Sequence, residues 1–166
     1  MVFFSSYRMM EETAEAFTEL LETEEMHPQL ILQQQGMTEA EREAFLGRFE
    51  ETPPEGLIGF CVMGGIFSEG IDLKAERLIG AIVVGPGLPQ VCRERELLKN
   101  FYDARGEDGF FYAYLCPGMN KVLQSAGRVI RTQEDTGIIL LLDERFADHN
   151  YRNLFPAECL TAETVL

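Results

Sequence analysis

The sequence predicts an α/β fold: a three-layer domain with a mostly parallel sheet of about five or more strands and helices on both faces. Three observations support this prediction. Five short apolar segments fit strands, amphipathic segments alternate with them, and glycines or prolines separate the two. A chain of 166 residues with 46% hydrophobic composition also has the size of one compact domain.

The five predicted strands are residues 2–5, 29–33, 57–63, 78–84 and 137–142. The last three are continuous apolar runs bounded by glycine, a pattern typical of strands covered on both faces. Strands that alternate with helices favour parallel pairing, because each connection crosses over through a helix. In such a sheet, ligands bind beyond the carboxyl ends of the strands, so we expect the functional residues at that edge.

Helices are predicted between these strands. Residues 9–25 carry Met10, Ala14 and Phe17 at helical spacing, and Pro28 ends this segment. Thr38 and Glu41 have the spacing of a capping box, which predicts a helix from there to about residue 51.

Two further helices are predicted in the second half of the chain. One covers residues 93–102, and the other begins after Pro117 and includes residues 121–130. Between them, the aromatic segment 106–115 fits a strand and a buried helical turn equally well.

The net charge of −14 argues against a chain that binds nucleic acid through a basic surface. However, residues 11–55 hold 13 acidic and 2 basic side chains, whereas residues 57–131 hold 8 and 9. The acidity is therefore local, and the glutamates between residues 11 and 25 are interpreted as a solvated helix surface. The centre of the chain is nearly neutral, which leaves nucleic-acid binding open.

No apolar stretch is long enough to span a bilayer, and the N-terminus does not resemble a secretory signal. We therefore expect a cytoplasmic protein without a membrane partner. The four cysteines are Cys61, Cys92, Cys116 and Cys159, with no C-x-x-C pair. This spacing predicts no metal site in this chain and favours reduced thiols in or near the core.

Two segments carry the candidate functional residues. Residues 62–72 (VMGGIFSEGID) follow a predicted strand, and their glycines allow backbone N–H groups to approach a phosphate. Residues 124–131 (QSAGRVIR) lie near the end of a predicted helix, where Arg128 and Arg131 share a face with Gln124. Two guanidinium groups on one face suit a polyphosphate. Each segment alone also fits a structural role, as a tight turn or as surface ion pairs.

Together, the two segments resemble motifs V and VI of the DinG/XPD family of superfamily-2 DNA helicases. Residues 64–72 resemble motif V, and the Q-x-x-G-R-x-I-R pattern of residues 124–131 resembles motif VI. Residues 3–7 (FFSSY) are similar to motif IV, and residues 84–89 are similar to a strand-and-proline loop of the family. Residues 135–146 fit its closing strand. The resemblance covers nearly the whole chain and implies a C-terminal RecA-like motor domain.

The chain lacks the Walker A lysine loop, the Asp-Glu-Ala-His type Mg²⁺ motif and a four-cysteine cluster, all of which lie upstream in this family. The resemblance therefore implies that residues 1–166 are the second RecA-like domain of a longer DNA helicase with a role in DNA repair. ATP and Mg²⁺ would bind mainly to the absent first domain, and an iron–sulfur cluster is expected in the absent N-terminal part. The implied partners are single-stranded DNA and the N-terminal RecA-like domain of the same polypeptide.

The resemblance also implies roles for individual residues at the nucleotide. Arg131 is interpreted as an arginine finger, Arg128 as a contact to the γ-phosphate, and Gln124 as the group that orients the attacking water. In motif V, Asp72 would accept hydrogen bonds from the ribose or from a motif VI arginine, because Gly70 lets the turn bring it close. On its own, the chain is expected to be inactive.

The DNA-binding residues are expected in motifs IV and V, where hydroxyl and backbone N–H groups would contact phosphates and Tyr7 or Phe67 would stack on a base. These residues are Ser5, Ser6, Tyr7, Gly65, Phe67 and Ser68.

Two other classes of function remain as alternatives. The chain could be a non-catalytic nucleic-acid-binding or regulatory module derived from a helicase domain. It could also be a metabolic α/β enzyme that uses cysteine and histidine, although its two histidines, His27 and His149, both fit surface positions.

Overall fold

The structure is a computed structural model that describes residues 1–50, 53–67, 78–127, 129 and 136–156. Its sheet contains five strands in the order β2-β3-β1-β4-β5, and every pairing between them is parallel. The strands are β1 (Val2–Phe4), β2 (Gln29–Leu32), β3 (Leu57–Val62), β4 (Gly80–Val84) and β5 (Ile138–Leu142). The predicted parallel sheet and all five strands are confirmed.

In the described part of the chain, five α-helices connect or follow these strands. They are α1 (Tyr7–Thr23), α2 (Glu39–Gly47), α3 (Arg93–Asp103), α4 (Cys116–Ala126) and α5 (His149–Arg152). The capping box at α2 is present, since the Thr38 hydroxyl accepts from the Glu41 amide and the Glu41 carboxylate accepts from the Thr38 amide. A 3₁₀ turn (Arg48–Glu50) continues α2, which ends earlier than predicted.

The two faces of the sheet are covered differently. On one face, α1 packs Met10 and Ala14 against the core side chains Phe4 and Phe60. On the other face, α2 and α4 form a larger core with β1 and β3. Helices therefore lie on both faces, as predicted. The acidic side chains of α1 that precede Thr23 are exposed, which confirms that they form a solvated surface.

Strand β5 departs from the prediction that it is covered on both faces. Ile138, Leu140 and Leu142 are 65%, 45% and 53% exposed, on the face that carries α1. The reason is the strand order: β5 lies at an edge, and α1 packs over β1 and β3, two and three positions away. Among the described residues, no helix covers this part of the sheet.

Residues 109–115 of the ambiguous aromatic segment are helical, and part of this helix is wider than an α-helix. A π-helical stretch (Phe111–Leu115) runs directly into α4. Pro117 has no N–H to donate to the Ala113 carbonyl, which instead accepts from Arg95 Nη1 on α3 at 2.7 Å. Because of the proline, the Ala113 carbonyl is free to accept this hydrogen bond, which holds α3 against the segment. None of the described helices is long and apolar enough to cross a membrane.

Candidate nucleic-acid and nucleotide interface

The carboxyl end of β1 carries the serines predicted to bind DNA. Ser6 caps α1, because its hydroxyl oxygen accepts from the Met9 amide at 3.2 Å. That bond leaves the Ser6 hydroxyl proton available as a donor. Ser5 is exposed, and its hydroxyl donates to the Met9 sulfur at 3.6 Å, which is a weak acceptor. Both hydroxyl groups can therefore donate to an incoming acceptor such as a phosphate oxygen.

Gln33 holds the neighbouring segments together, although the sequence analysis did not identify it. Its side chain is only 2% exposed. Its Nε2 donates to the Tyr7 hydroxyl at 2.7 Å, and its Oε1 accepts from the Val62 amide at 2.8 Å. One buried amide thus joins the start of α1 to the end of β3. The signal in the sequence was a polar residue directly after the apolar strand β2.

Tyr7 is half-buried, and burial raises the pKa of its hydroxyl above the ordinary value. The hydroxyl therefore stays protonated, so it can accept from Gln33 and also donate. Part of the ring remains accessible, which keeps the predicted stacking on a base sterically possible.

The glycine loop follows β3 at the carboxyl edge of the sheet, as predicted, and lies beside this network. Gly64 adopts a left-handed conformation (φ 69°), and a Cβ placed on it would lie 3.0 Å from the Lys121 side chain. A Cβ on Gly65 would lie 3.2 Å from Gln33 Nε2. The missing side chain of Gly64 allows Lys121 to cross the loop from α4. Lys121 thereby adds a cation to this edge that the sequence analysis did not assign to the site.

Phe67 does not fit its predicted role. Its ring is 1% exposed and stacks on Phe45 of α2, with ring centroids 4.5 Å apart. A ring enclosed in the core cannot stack on a base, so the expectation for this side chain is corrected. The next predicted DNA-binding residue, Ser68, lies outside the described residues.

Gln124 of the second segment is exposed near the end of α4. Helix α4 begins at the carboxyl edge, where a Cβ on Gly118 would lie 2.8 Å from the Pro86 carbonyl. Beyond its other end, Val129 packs against Gly137, which precedes β5. The helix thus runs antiparallel to the strands, and Gln124 lies toward the amino edge. The expectation that both segments lie at the carboxyl edge is therefore wrong for Gln124.

The remaining residues predicted to bind nucleotide lie outside the described part of the chain. They are Gly70, Asp72, Arg128 and Arg131. Within the described residues, no group of three or more His, Cys, Asp or Glu side chains could hold a metal ion. Cys61 is buried, which raises the pKa of its thiol, whereas Cys92 is exposed. Cys159 is not among the described residues.

Comparison with known proteins places this architecture among helicases. A family model described as the helicase C-terminal domain matches residues 1–161. A probable ATP-dependent helicase of Methanocaldococcus jannaschii is 29% identical over 139 residues, covering 78% of this chain and 21% of the relative. The ATP-dependent DNA helicase DinG of Photobacterium profundum is 28% identical, with 91% and 21% covered. The chain thus spans about a fifth of the length of these relatives.

Solved structures show the same fold at lower sequence identity. An XPD helicase structure superimposes with a TM-score of 0.69 at 19% identity, covering 98% of this chain and 27% of the other. A second XPD structure, in the apo form, gives a TM-score of 0.68 at 17% identity, covering 97% and 31%. The family model, which matches nearly the whole chain, shows that this chain belongs to the helicase C-terminal domain family, and DinG helicases are among its relatives.

Proposed function

We propose that this chain is the second motor domain of an ATP-dependent DNA helicase. In this proposal, its carboxyl edge forms part of the single-stranded DNA track, and its motif VI acts on ATP bound to a first RecA-like domain outside these 166 residues. The observation that carries the proposal is the separation of the two motif sets. Ser5, Ser6 and Gly65 lie at one edge of the sheet, whereas exposed Gln124 lies toward the other.

Phosphoryl transfer needs a phosphate cradle, a Mg²⁺ ligand, a positioned water and positive charge at the transition state. The sequence has no P-loop, so ATP and Mg²⁺ would be held mainly by the first domain. This chain would supply the positive charge through Arg131 as the finger and Arg128 at the γ-phosphate. Gln124 would orient the attacking water, and its exposure on α4 supports a role that reaches another domain.

Motif V would complete the nucleotide contacts, with Gly70 allowing Asp72 to approach the ribose or a motif VI arginine. Because these groups act on ATP bound elsewhere, ATP binding would close the cleft between the two domains, and hydrolysis would open it. This opening and closing would move the domain along DNA.

The DNA contacts proposed here are largely neutral. The hydroxyl groups of Ser5 and Ser6 and the backbone at Gly65 would bind phosphates, and Tyr7 would stack on a base. Lys121, which lies against Gly64, adds one positive charge. Contacts of this kind reconcile a chain of net charge −14 with binding to a polyanion.

The proposal is tested with the 166-residue chain itself. Without a P-loop, it should bind ATP with at best about millimolar affinity and show no DNA-stimulated hydrolysis above background. It should bind single-stranded DNA weakly, with an affinity that falls with salt along a small slope, because few phosphates are neutralised. Hydrolysis by the purified chain would contradict the division of labour between two domains. The absence of DNA binding at low salt would contradict the DNA track.

A further inference from the structure

A cleft of about 230 Å³ opens at the carboxyl edge beside the motif IV serines. Its lining comes from the ends of three adjacent strands: Ser5 and Met9 after β1, residues 84–88 at the end of β4, and Asp143 and Arg145 after β5. The cleft therefore begins at Ser5, which is proposed to bind DNA. It extends to the end of the edge strand β5, beyond the residues of motifs IV and V.

Arg145 is held in a fixed orientation in this cleft. Its Nε and Nη2 donate to the two carboxylate oxygens of Asp143, both at 2.7 Å. Asp143 also accepts from the Arg145 amide at 3.0 Å, so the same carboxylate fixes the backbone and the side chain. This pairing is bidentate, the geometry in which a guanidinium group is most strictly oriented.

In this ion pair, the Arg145 guanidinium group lies toward solvent. The Arg145 side chain is 48% exposed, whereas that of Asp143 is 17% exposed. The guanidinium group beside Asp143 holds the pKa of that carboxyl below its ordinary value, so the pair persists at neutral pH. Both bonds to Asp143 use Nε and Nη2, which leaves the Nη1 amino group outside the pair. An anion approaching from solvent therefore meets the cation first.

The glycines of the loop after β4 keep the guanidinium group accessible. Gly85 and Gly87 have φ values of 79° and 60°, which other residues rarely adopt. A Cβ on Gly85 would lie 3.9 Å from Arg145 Nη2, so a longer side chain at this position would extend into the cleft. On the opposite side of the cleft, the Ser5 hydroxyl donates to the Met9 sulfur, a weak acceptor that a phosphate oxygen can replace.

We infer that Arg145 binds a phosphate of single-stranded DNA and that the cleft extends the DNA track from β1 across β4 to β5. The inference rests on the proposed function, which assigns DNA to this edge. Two strand spacings separate β1 from β5, so the cleft adds about 10 Å of contact length. Among the described residues, no aromatic side chain lines the cleft, so we assign it a contact with phosphate and not with a base.

The test measures single-stranded DNA binding by the 166-residue chain across a series of salt concentrations, using an oligothymidine labelled for fluorescence anisotropy. Arg145→Gln should weaken binding by about threefold to fivefold and reduce the slope of log K against log salt by about 0.7, the value for one phosphate. Arg145→Lys, which keeps the charge, should retain the wild-type slope. The control is Arg105→Gln, because Arg105 also pairs with a carboxylate, that of Glu107, but does not line the cleft.

Thermal unfolding of each variant separates binding from structure. If the only role of Arg145 is to stabilise the chain after β5, Arg145→Gln should lower the melting temperature without changing the salt slope. This result would overturn the inference. An equal change of slope in Arg105→Gln would also overturn it, because the effect would then reflect net charge. If the wild-type chain itself binds no DNA at low salt, the proposed function fails. If the wild-type chain binds DNA and Arg145→Gln has the same salt slope as the wild type, this inference is rejected and the proposed function is not.

Discussion

The two edges of the sheet differ in how their candidate residues are held. At the carboxyl edge, Gln33 fixes Tyr7 and the end of β3 through two short hydrogen bonds within the domain. Toward the amino edge, Gln124 is exposed on α4, and its side chain makes no hydrogen bond to another described residue. Tyr7 and the end of β3 are thus held by bonds within this domain, whereas Gln124 presents its side chain outward. Substitutions at the two edges should therefore have separable effects on DNA binding and catalysis.

The largest effect is expected from Arg131→Ala, in motif VI. In the two-domain helicase polypeptide proposed above, kcat for DNA-stimulated ATP hydrolysis should fall, with ATP and DNA affinity nearly unchanged, because a finger acts on charge that develops in the transition state. Arginine fingers contribute roughly 10³ to 10⁵ in rate, or about 4 to 7 kcal/mol in barrier height. Steady-state assays with saturating single-stranded DNA measure this change.

The loss should be smaller where domain closure limits turnover. Arg152→Ala, at an exposed position of α5, is the matched control and should leave kcat unchanged. If Arg131→Ala keeps more than about half of the wild-type kcat, the finger assignment is wrong and a surface ion pair explains that residue better.

A substitution at the opposite edge should affect folding and DNA binding instead. Gln33→Leu leaves the buried Val62 amide without its acceptor, so the free energy of unfolding should fall by about 2 to 3 kcal/mol. DNA affinity should also fall, because the start of α1 and the end of β3 are no longer tied together. Gln34→Leu is the neighbouring control, since Gln34 is exposed. Equal stabilities of the two variants in urea unfolding would refute the role of Gln33.

The smallest effect is expected from Tyr7→Phe, which removes one hydroxyl group from the same network. Loss of the acceptor for Gln33 Nε2 should lower the free energy of unfolding by about 1 kcal/mol. DNA affinity should persist, because the ring proposed to stack on a base is retained. Tyr7→Leu should weaken DNA binding, and Tyr112→Phe, at an exposed tyrosine, is the stability control. Equal DNA affinity of the Phe and Leu variants would exclude stacking.

Local features of the fold could be predicted because short-range patterns determine them. The capping box of α2 depends on two side chains three residues apart, and the apolar run of β3 depends on side chains within one strand. Phe67 shows the limit of such reasoning. Its position in a glycine-rich motif favoured an exposed role, but the ring packs on Phe45, which is 22 positions away in sequence. Burial of this kind depends on contacts that the local pattern does not contain.

The sequence by itself determined the class of the fold, its five strands, and the two motifs whose order points to a helicase motor domain. Strand order, and with it the exposure of β5, was decided by the tertiary structure, because α1 packs on β1 and β3 and, within the described residues, leaves one face of the edge strand β5 without a helix. The tertiary structure likewise placed Gln124 toward the amino edge, since α4 runs antiparallel to the strands. Local periodicity specifies which segments are apolar, but only the packing of distant segments specifies what covers them.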